Sequence, residues 1–378
     1  MKLEGGFIKN LGKVYGVYTL GFLGFVILMA ILEQVGVAAE TIGWLFVGFT
    51  IAIYALIGVL SRTRESGQYY VAGREVPAVY NGMATAADWM SGASFIAMAG
   101  GIYLKGYPYM AFLVGWTGGY VLVASLLAPY LRKFGCYTVP DFIGTRYGGN
   151  LARFCAVVIL VVASFTYVTA QITGTGIVAS RALSIPFHFA VWIGLSGILF
   201  CSMLGGMRAV TWTQVAQYIV LIIAYVLPVV WMSNKLGYGL IPHIAQFDAV
   251  LRVQELEQLH QVGVLMPAAD VQAAAGKLAA LKVGINDASD TLMAKWKFFT
   301  LVVCMMAGTA SLPHVLMRYF TTASVKAARQ SVGWSLVFIC LLYLTAPALA
   351  TFTKLSLLDP NLATGIIGKS FADAQSLD

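Results

Sequence analysis

The sequence predicts an all-α, polytopic membrane protein, and three observations carry that prediction. Hydrophobic residues make up 59% of the 378-residue chain and charged residues 11%, against about 25% charged in a soluble domain. The apolar residues fall into about nine runs long enough to cross a bilayer, which takes roughly 20 residues. The basic residues sit in alternate connections between those runs, the pattern that sets membrane topology.

The runs lie near 14–33, 42–61, 81–104, 109–131, 152–182, 186–205, 213–233, 297–320 and 331–353. The first follows three lysines, like a signal peptide. It is about 20 residues long and lacks an A-x-A cleavage site, so it reads as a retained helix. The fifth is longer than a span needs and reads as tilted. With a cytoplasmic N-terminus, the inside segments hold Lys2, Lys9, Lys13, Arg62, Arg64, Arg74, Arg132, Lys133, Arg146, Arg153, Arg208, Arg318, Lys326 and Arg329. The short outside loops hold Lys105 and Arg181. That asymmetry predicts a multi-pass protein of the cell (inner) membrane with its N-terminus in the cytoplasm. The segment from Ser233 to Ala294 is then outside; its helical run, Asp248 to Leu259, and the Ala-rich sequence after it read as a solvated cap.

Several function classes drop out. A net charge of +8 would raise nucleic acid in a soluble protein, but here the charge is topological. The five cysteines, Cys136, Cys155, Cys201, Cys304 and Cys340, lie in or beside apolar runs without CxxC spacing and read as ordinary thiols. No HExxH, Walker or GxSxG pattern occurs, so the expectation is not an enzyme, with no catalytic residues and no organic cofactor.

Three spans depart from plain lipid-facing helices. The third carries Asp88, Ser91, Gly92 and Ser94 among small residues. An Asp at membrane depth must face protein or water, and the Gly and Ser residues permit the helix to unwind, freeing carbonyls for a cation and aiming a helix N-terminus at an anion. The alternative for Asp88 is that it caps the helix or pairs with a loop Arg. In the fifth span Tyr167, Gln171 and Thr175 recur every four residues and share a face, turned toward a cavity or toward another helix. In the eighth span Pro313 removes a backbone donor, and Gly308, Thr309 and Ser311 weaken the turn before it. His314, just after the proline, reads as packed rather than as a proton relay. Two broken helices in one chain point to a central binding site.

At these residues the chain resembles the sodium:solute symporter family, and most closely its acetate-type (cation/acetate symporter) branch. The shared motifs are Tyr70-Val-Ala-Gly-Arg, Ala87-Asp-Trp-Met-Ser-Gly, Tyr137-Thr-Val-Pro-Asp-Phe, Gly205-Gly-Met-Arg-Ala-Val-Thr-Trp-Thr-Gln-Val-Ala-Gln and Gly308-Thr-Ala-Ser-Leu-Pro-His-Val-Leu-Met-Arg-Tyr-Phe, in family order between Tyr69 and Phe352. The resemblance implies a LeuT-type inverted-repeat core, C-terminally incomplete. Residues 1–61 would be two transmembrane helices outside the core, 62–232 the first repeat of five helices, 233–295 an extramembrane loop, and 296–378 the truncated start of the second repeat. It also implies a sodium site half built from the backbone carbonyls of Ala87 and Met90. The other half would come from a helix with paired Ser/Thr hydroxyls that is not found here. Many family members have an Asp where this chain has Gln214, which leaves any sodium route through that position in question.

The function this implies is sodium-coupled symport of a small organic solute, a short monocarboxylate such as acetate, with Na+ as coupling ion. An anion could sit near Ser91, Ser94, Thr309 and Ser311, at the half-helix N-termini, with Tyr167 and Gln171 donating hydrogen bonds. No Arg marks the midplane, so a neutral solute or an amino acid stays open. So does a truncated, non-transporting fragment. A sensor and a channel are rivals with less behind them. The partners expected are the solute, Na+ and the lipid bilayer, with a small membrane subunit allowed by the resemblance.

Overall fold

The structure is a computed structural model that describes residues 8–261 and 292–358. Among these residues it is helical, with one isolated parallel bridge between Val76 and Thr322. The Ala-rich part of the predicted outside loop and everything after residue 358 lie outside the described residues. Seven helical stretches are long and apolar enough to cross a membrane, and Phe187–Gly197 is a shorter apolar one. The remaining predicted span, 81–104, falls short because it is broken.

The helices in chain order are α1 Leu11–Gln34, α2 Ala39–Leu60, α3 Ser66–Val71, α4 Ala78–Trp89, α5 Met98–Lys105, α6 Met110–Leu122, α7 Ala128–Phe134, α8 Val139–Tyr147, α9 Asn150–Leu183, α10 Phe187–Lys235, α11 Pro242–Gln261, α12 Leu292–Ala310, α13 Pro313–Met317 and α14 Val325–Leu358. The chain forms two compact units. One comprises Met1–Gly92, Val123–Ile222 and Ser311–Phe338; the other comprises Ala93–Leu122, Ile223–Ala310 and Ile339–Asp378.

In the first unit the sequence motifs act as local punctuation. Thr138 caps α8: its hydroxyl accepts from the Asp141 N–H at 3.2 Å and donates to the Asp141 carboxylate at 2.7 Å, so a free donor of the first turn is satisfied. Pro140 fits the first turn, where no backbone donor is missed. Ala72, Gly73 and Arg74 are all left-handed, which turns the chain sharply between α3 and α4. Arg74 then donates to the Gly135 carbonyl and lies over the Tyr137 ring, 5.5 Å from its centroid. Gly206 divides α10 with φ +52° and ψ −140°. A Cβ there would stand 2.5 Å from the Tyr69 carbonyl oxygen, so glycine is required both by conformation and by space.

The same unit ties its helices by buried polar contacts. The Tyr15 hydroxyl of α1 donates to the Trp212 carbonyl of α10 at 2.9 Å. Asn81 of α4 donates to the Ser331 hydroxyl of α14 at 2.7 Å. Gly82 lets α14 approach so closely that a Cβ would meet that of Trp334 at 2.7 Å. Arg132 of α7 donates to the carbonyls of Thr322 and Ala323 at 2.6 and 2.8 Å.

The second unit packs α6 on α12 through glycines. A Cβ on Gly115 would lie 2.5 Å from that of Met305, and one on Gly119 would lie 2.6 Å from that of Thr309. This small-x-x-x-small spacing is the device by which membrane helices approach closely. The helical run expected from Asp248 is found as α11, and it is more than a solvated cap. Ala245, Ala249, Val253 and Leu256 form one buried cluster with Val229 and Met232 of α10 and Ala348, Phe352 and Leu355 of α14. His243 extends the contact, with Nε2 2.9 Å from the Thr345 hydroxyl.

Candidate functional site

The site is built around the interruption of the third span. α4 ends at Trp89, and Met90 takes φ −77° and ψ 53°. The Met90 N–H is shared between the carbonyls of Ala86 and Ala87, at 3.0 and 3.1 Å, the bifurcated ending common at helix termini. Helical backbone resumes at Gly92, leading into a π-helical turn, Ala93–Ala97, a distortion frequent at functional sites. The small, polar Ser91-Gly92 step thus does what the sequence led one to expect. Ala87 lies in the last turn of α4 and Met90 just past it; the Ala87 carbonyl shares the Met90 N–H and keeps a second lone pair, and backbone oxygens of this kind are hard ligands.

Gln171 of α9 holds the break. The Gly92 N–H donates to its side-chain Oε1 at 3.0 Å. That orientation leaves the Nε2 amide as a donor. One helical turn away, Tyr167 is hydrogen-bonded to the Ser91 side chain, and its ring packs on that of His314, with centroids 4.5 Å apart. The four-residue spacing of Tyr167 and Gln171 therefore turns toward the break, and His314 is packed, as read from sequence. The third member of that stripe, Thr175, bonds back to the Gln171 carbonyl at 2.9 Å.

The second interruption falls at Ser311-Leu312, where Leu312 is extended with ψ 118° ahead of Pro313. Ser311 lies in the break and is exposed. Thr309 lies before it, in the final turn of α12, buried against Gly119. The N-terminus behind the second break therefore starts at Leu312, not at Thr309. Thr309 sits at the negative end of its helix. Ser94 is buried in the second unit, its hydroxyl 3.3 Å from that of Tyr343. The structure thus gathers Ser91, Tyr167 and Gln171 at one place in the first unit, and Ser94 and Thr309 belong to the second.

Asp88 is paired. Arg318, in the 3-10 turn after α13, donates from Nε to Oδ2 at 2.5 Å and from Nη2 to Oδ1 at 3.1 Å. Both side chains are almost fully buried, 7% and 2% exposed. Arg318 also donates from Nη1 to the Thr211 hydroxyl at 2.8 Å, and Gln214 donates its amide to Asp88 Oδ1. Arg318, counted above with the inside loop charges, is therefore no loop charge. Sequence reasoning foresaw that Asp88 could meet an Arg but could not name one 230 residues away. Gln214 does not supply the charge of the family Asp. Its orientation is forced, because the reversed amide would set oxygen against carboxylate, and its Oε1 is left buried with no partner among the described residues.

Comparison with known proteins agrees with this architecture. The model of the sodium:solute symporter family matches residues 69–370. An uncharacterized symporter of Cupriavidus necator is 40% identical, over 92% of this chain and 63% of the relative. A monocarboxylic acid transporter of Corynebacterium glutamicum is 30% identical, over 83% of this chain and 55% of the relative. The chain thus spans about three-fifths of the length of these relatives. Among solved structures, the substrate-bound outward-open state of a Na+-coupled sialic acid symporter superposes with a TM-score of 0.62 at 16% identity, covering 83% of this chain and 61% of that one. The fold is accordingly that of a LeuT-type membrane transporter.

Proposed function

The chain belongs to the sodium:solute symporter family, and from that premise we propose that the protein it represents carries a short monocarboxylate, such as acetate, across the cell membrane together with Na+. In this reading residues 62–232 form the first inverted repeat, the second begins at 296, and the N-terminus is cytoplasmic. Na+ rests on the carbonyls of Ala87 and Met90, and the solute lies beside the same helix break.

The observation that carries the reading is the contact of Gly92 with Gln171. It fixes an unwound segment and presents a neutral amide donor beside the Ser91 and Tyr167 hydroxyls. A carboxylate can accept from the amide and from whichever of the two hydroxyls is not donating to the other. Arg318 is spent on Asp88 and does not serve as the anion's partner, so recognition rests on neutral donors and on the cation that accompanies the solute. The likeness to a monocarboxylic acid transporter supports the substrate class. Neutral donors also fit an amino acid, which makes competition the discriminating measurement.

The test is uptake of labelled acetate by proteoliposomes holding the full-length protein, with and without an inward sodium gradient. Acetate uptake that requires the gradient, and that propionate inhibits more strongly than neutral amino acids do, is the expected result. Uptake indifferent to sodium would overturn the coupling, and inhibition by amino acids alone would overturn the substrate.

A further inference from the structure

Tyr167 of α9 touches both helix breaks. Its hydroxyl is hydrogen-bonded to the Ser91 side chain at the first break. Its ring lies against that of His314 at the second, with centroids 4.5 Å apart and planes tilted by 31°. All three residues belong to the first unit. The place of His314 is set locally. Leu312 is extended ahead of Pro313, as a residue before proline prefers, and the proline fixes the backbone of the first turn of α13. His314 follows directly. Arg318, four residues on and so on the same helix face, is held in the fork with Asp88. On α9 the residues beside Tyr167, Thr166 and Val168, are exposed, so the ring's place depends on what it meets across from its own helix. What it meets is the face of an imidazole. Among the described residues neither nitrogen of that imidazole is hydrogen-bonded.

We infer that His314 is a positioning residue, whose ring holds the Tyr167 phenol against Ser91 and so sets one hydroxyl of the solute site without touching the solute. The inference rests on the transport reading above. An aromatic pair shifts an equilibrium by about two- to tenfold beyond the area it buries. Without the pair the phenol spreads over its other rotamers. The solute must then order that donor as it binds, which weakens affinity. The loss falls on KM and leaves kcat, since the same hydroxyl serves the solute for as long as it stays bound.

The experiment compares two variants of the full-length protein in proteoliposomes. His314→Asn keeps a polar donor and removes the ring; His314→Phe keeps the ring and removes the nitrogens. His314→Asn should raise the KM for acetate about three- to tenfold with kcat within about twofold, and His314→Phe should stay within about twofold of the parent in both. In a Tyr167→Phe background, which lacks the hydroxyl, His314→Asn should add no further rise. The reverse order, His314→Phe impaired and His314→Asn like the parent, would mean that an imidazole nitrogen binds the solute itself, and would overturn the inference. So would equal KM values in all three proteins, or a full further rise in the Tyr167→Phe background. If His314→Asn fails to fold, His314→Leu, which fills the space without a ring, takes its place. A second readout needs no solute. With 3-fluorotyrosine in place of Tyr167, the fluorine resonance should coincide in shift and width for the parent's held ring and His314→Phe, and broaden or move toward that of free fluorotyrosine in His314→Asn. An unmoved resonance in His314→Asn would overturn the hold on Tyr167. Absence of sodium-driven acetate uptake in the parent would count against the transport reading instead, and the fluorine spectra would still decide whether His314 holds Tyr167.

Discussion

The Gly92 N–H donates to Gln171 Oε1 at 3.0 Å, across 79 residues of sequence. One side chain thereby does two things: its oxygen accepts from a backbone N–H at the helix break, and its amide nitrogen remains a donor. The two roles separate on substitution. Gln171→Glu keeps an acceptor for Gly92 but loses the donor and sets a negative charge beside an anion. Gln171→Leu loses both roles. Gln171→Glu should raise the KM for a monocarboxylate at least tenfold, the scale of a lost hydrogen bond plus like-charge repulsion, with folding close to unchanged. Gln171→Leu should also lower thermal stability, by about 1–3 kcal/mol for the unsatisfied N–H. Uptake kinetics beside a thermal melt check both; equal KM values for Gln171→Glu and the parent protein would remove Gln171 from the site.

Arginine geometry matters at position 318. Lysine carries the same charge but not the planar fork that meets both oxygens of Asp88 and the Thr211 hydroxyl together. Arg318→Lys is expected to cost about 1–3 kcal/mol of stability, less than Arg318→Gln, which strands a buried carboxylate and should cost about 3–5 kcal/mol. Melting temperatures of the purified variants check the order, and Arg318→Gln as stable as Arg318→Lys would contradict it.

The glycines of α6 are not equivalent. A Cβ on Gly118 would press on the flexible Met306 side chain at 3.0 Å, which can swing away. A Cβ on Gly119 would strike the Met306 carbonyl at 2.7 Å and the Thr309 Cβ at 2.6 Å, where backbone must move. Gly118→Ala should be nearly neutral. Gly119→Ala should cost about 1–3 kcal/mol, the usual scale of overpacking. Gly206→Ala should do worse still, because it adds left-handed strain of about 1–2 kcal/mol to its clash with Tyr69. Yield and thermal stability in detergent are sufficient readouts.

Burial pushes the His243 imidazole below its ordinary value of 6.5. Since the folded value lies below the unfolded one, the stability held by the neutral ring is fully present above pH 6.5. It is lost as pH falls through the lower folded value. The melting temperature should therefore drop below pH 6.5 as α11 loosens from Thr345. His243→Gln, which does not titrate, should flatten that drop; an unchanged pH profile in the variant would count against it.

The sequence reveals the helices and their breaks more readily than the ties between them. Ser91-Gly92 and Pro313 act within a turn of themselves, so their effect can be read locally. The Tyr167–Gln171 spacing shows which face of α9 is turned inward. The Asp88–Arg318 pair is different, because nothing near Arg318 distinguishes it from the loop charges around it. Thr309 was misplaced by one turn, since the weakened stretch extends to either side of the actual break. Gly115 and Gly119, which let α6 approach α12, are not singled out in the sequence reading, and glycine spacing alone does not name the opposing helix.

The threonines of α9 have one more consequence. Thr166, Thr169, Thr173 and Thr175 each return their hydroxyl proton to a carbonyl four residues back on their own helix. A hydroxyl that carries its acceptor with it asks nothing of whatever passes alongside. The four hydroxyls are thereby satisfied within α9 itself, whichever way each one faces.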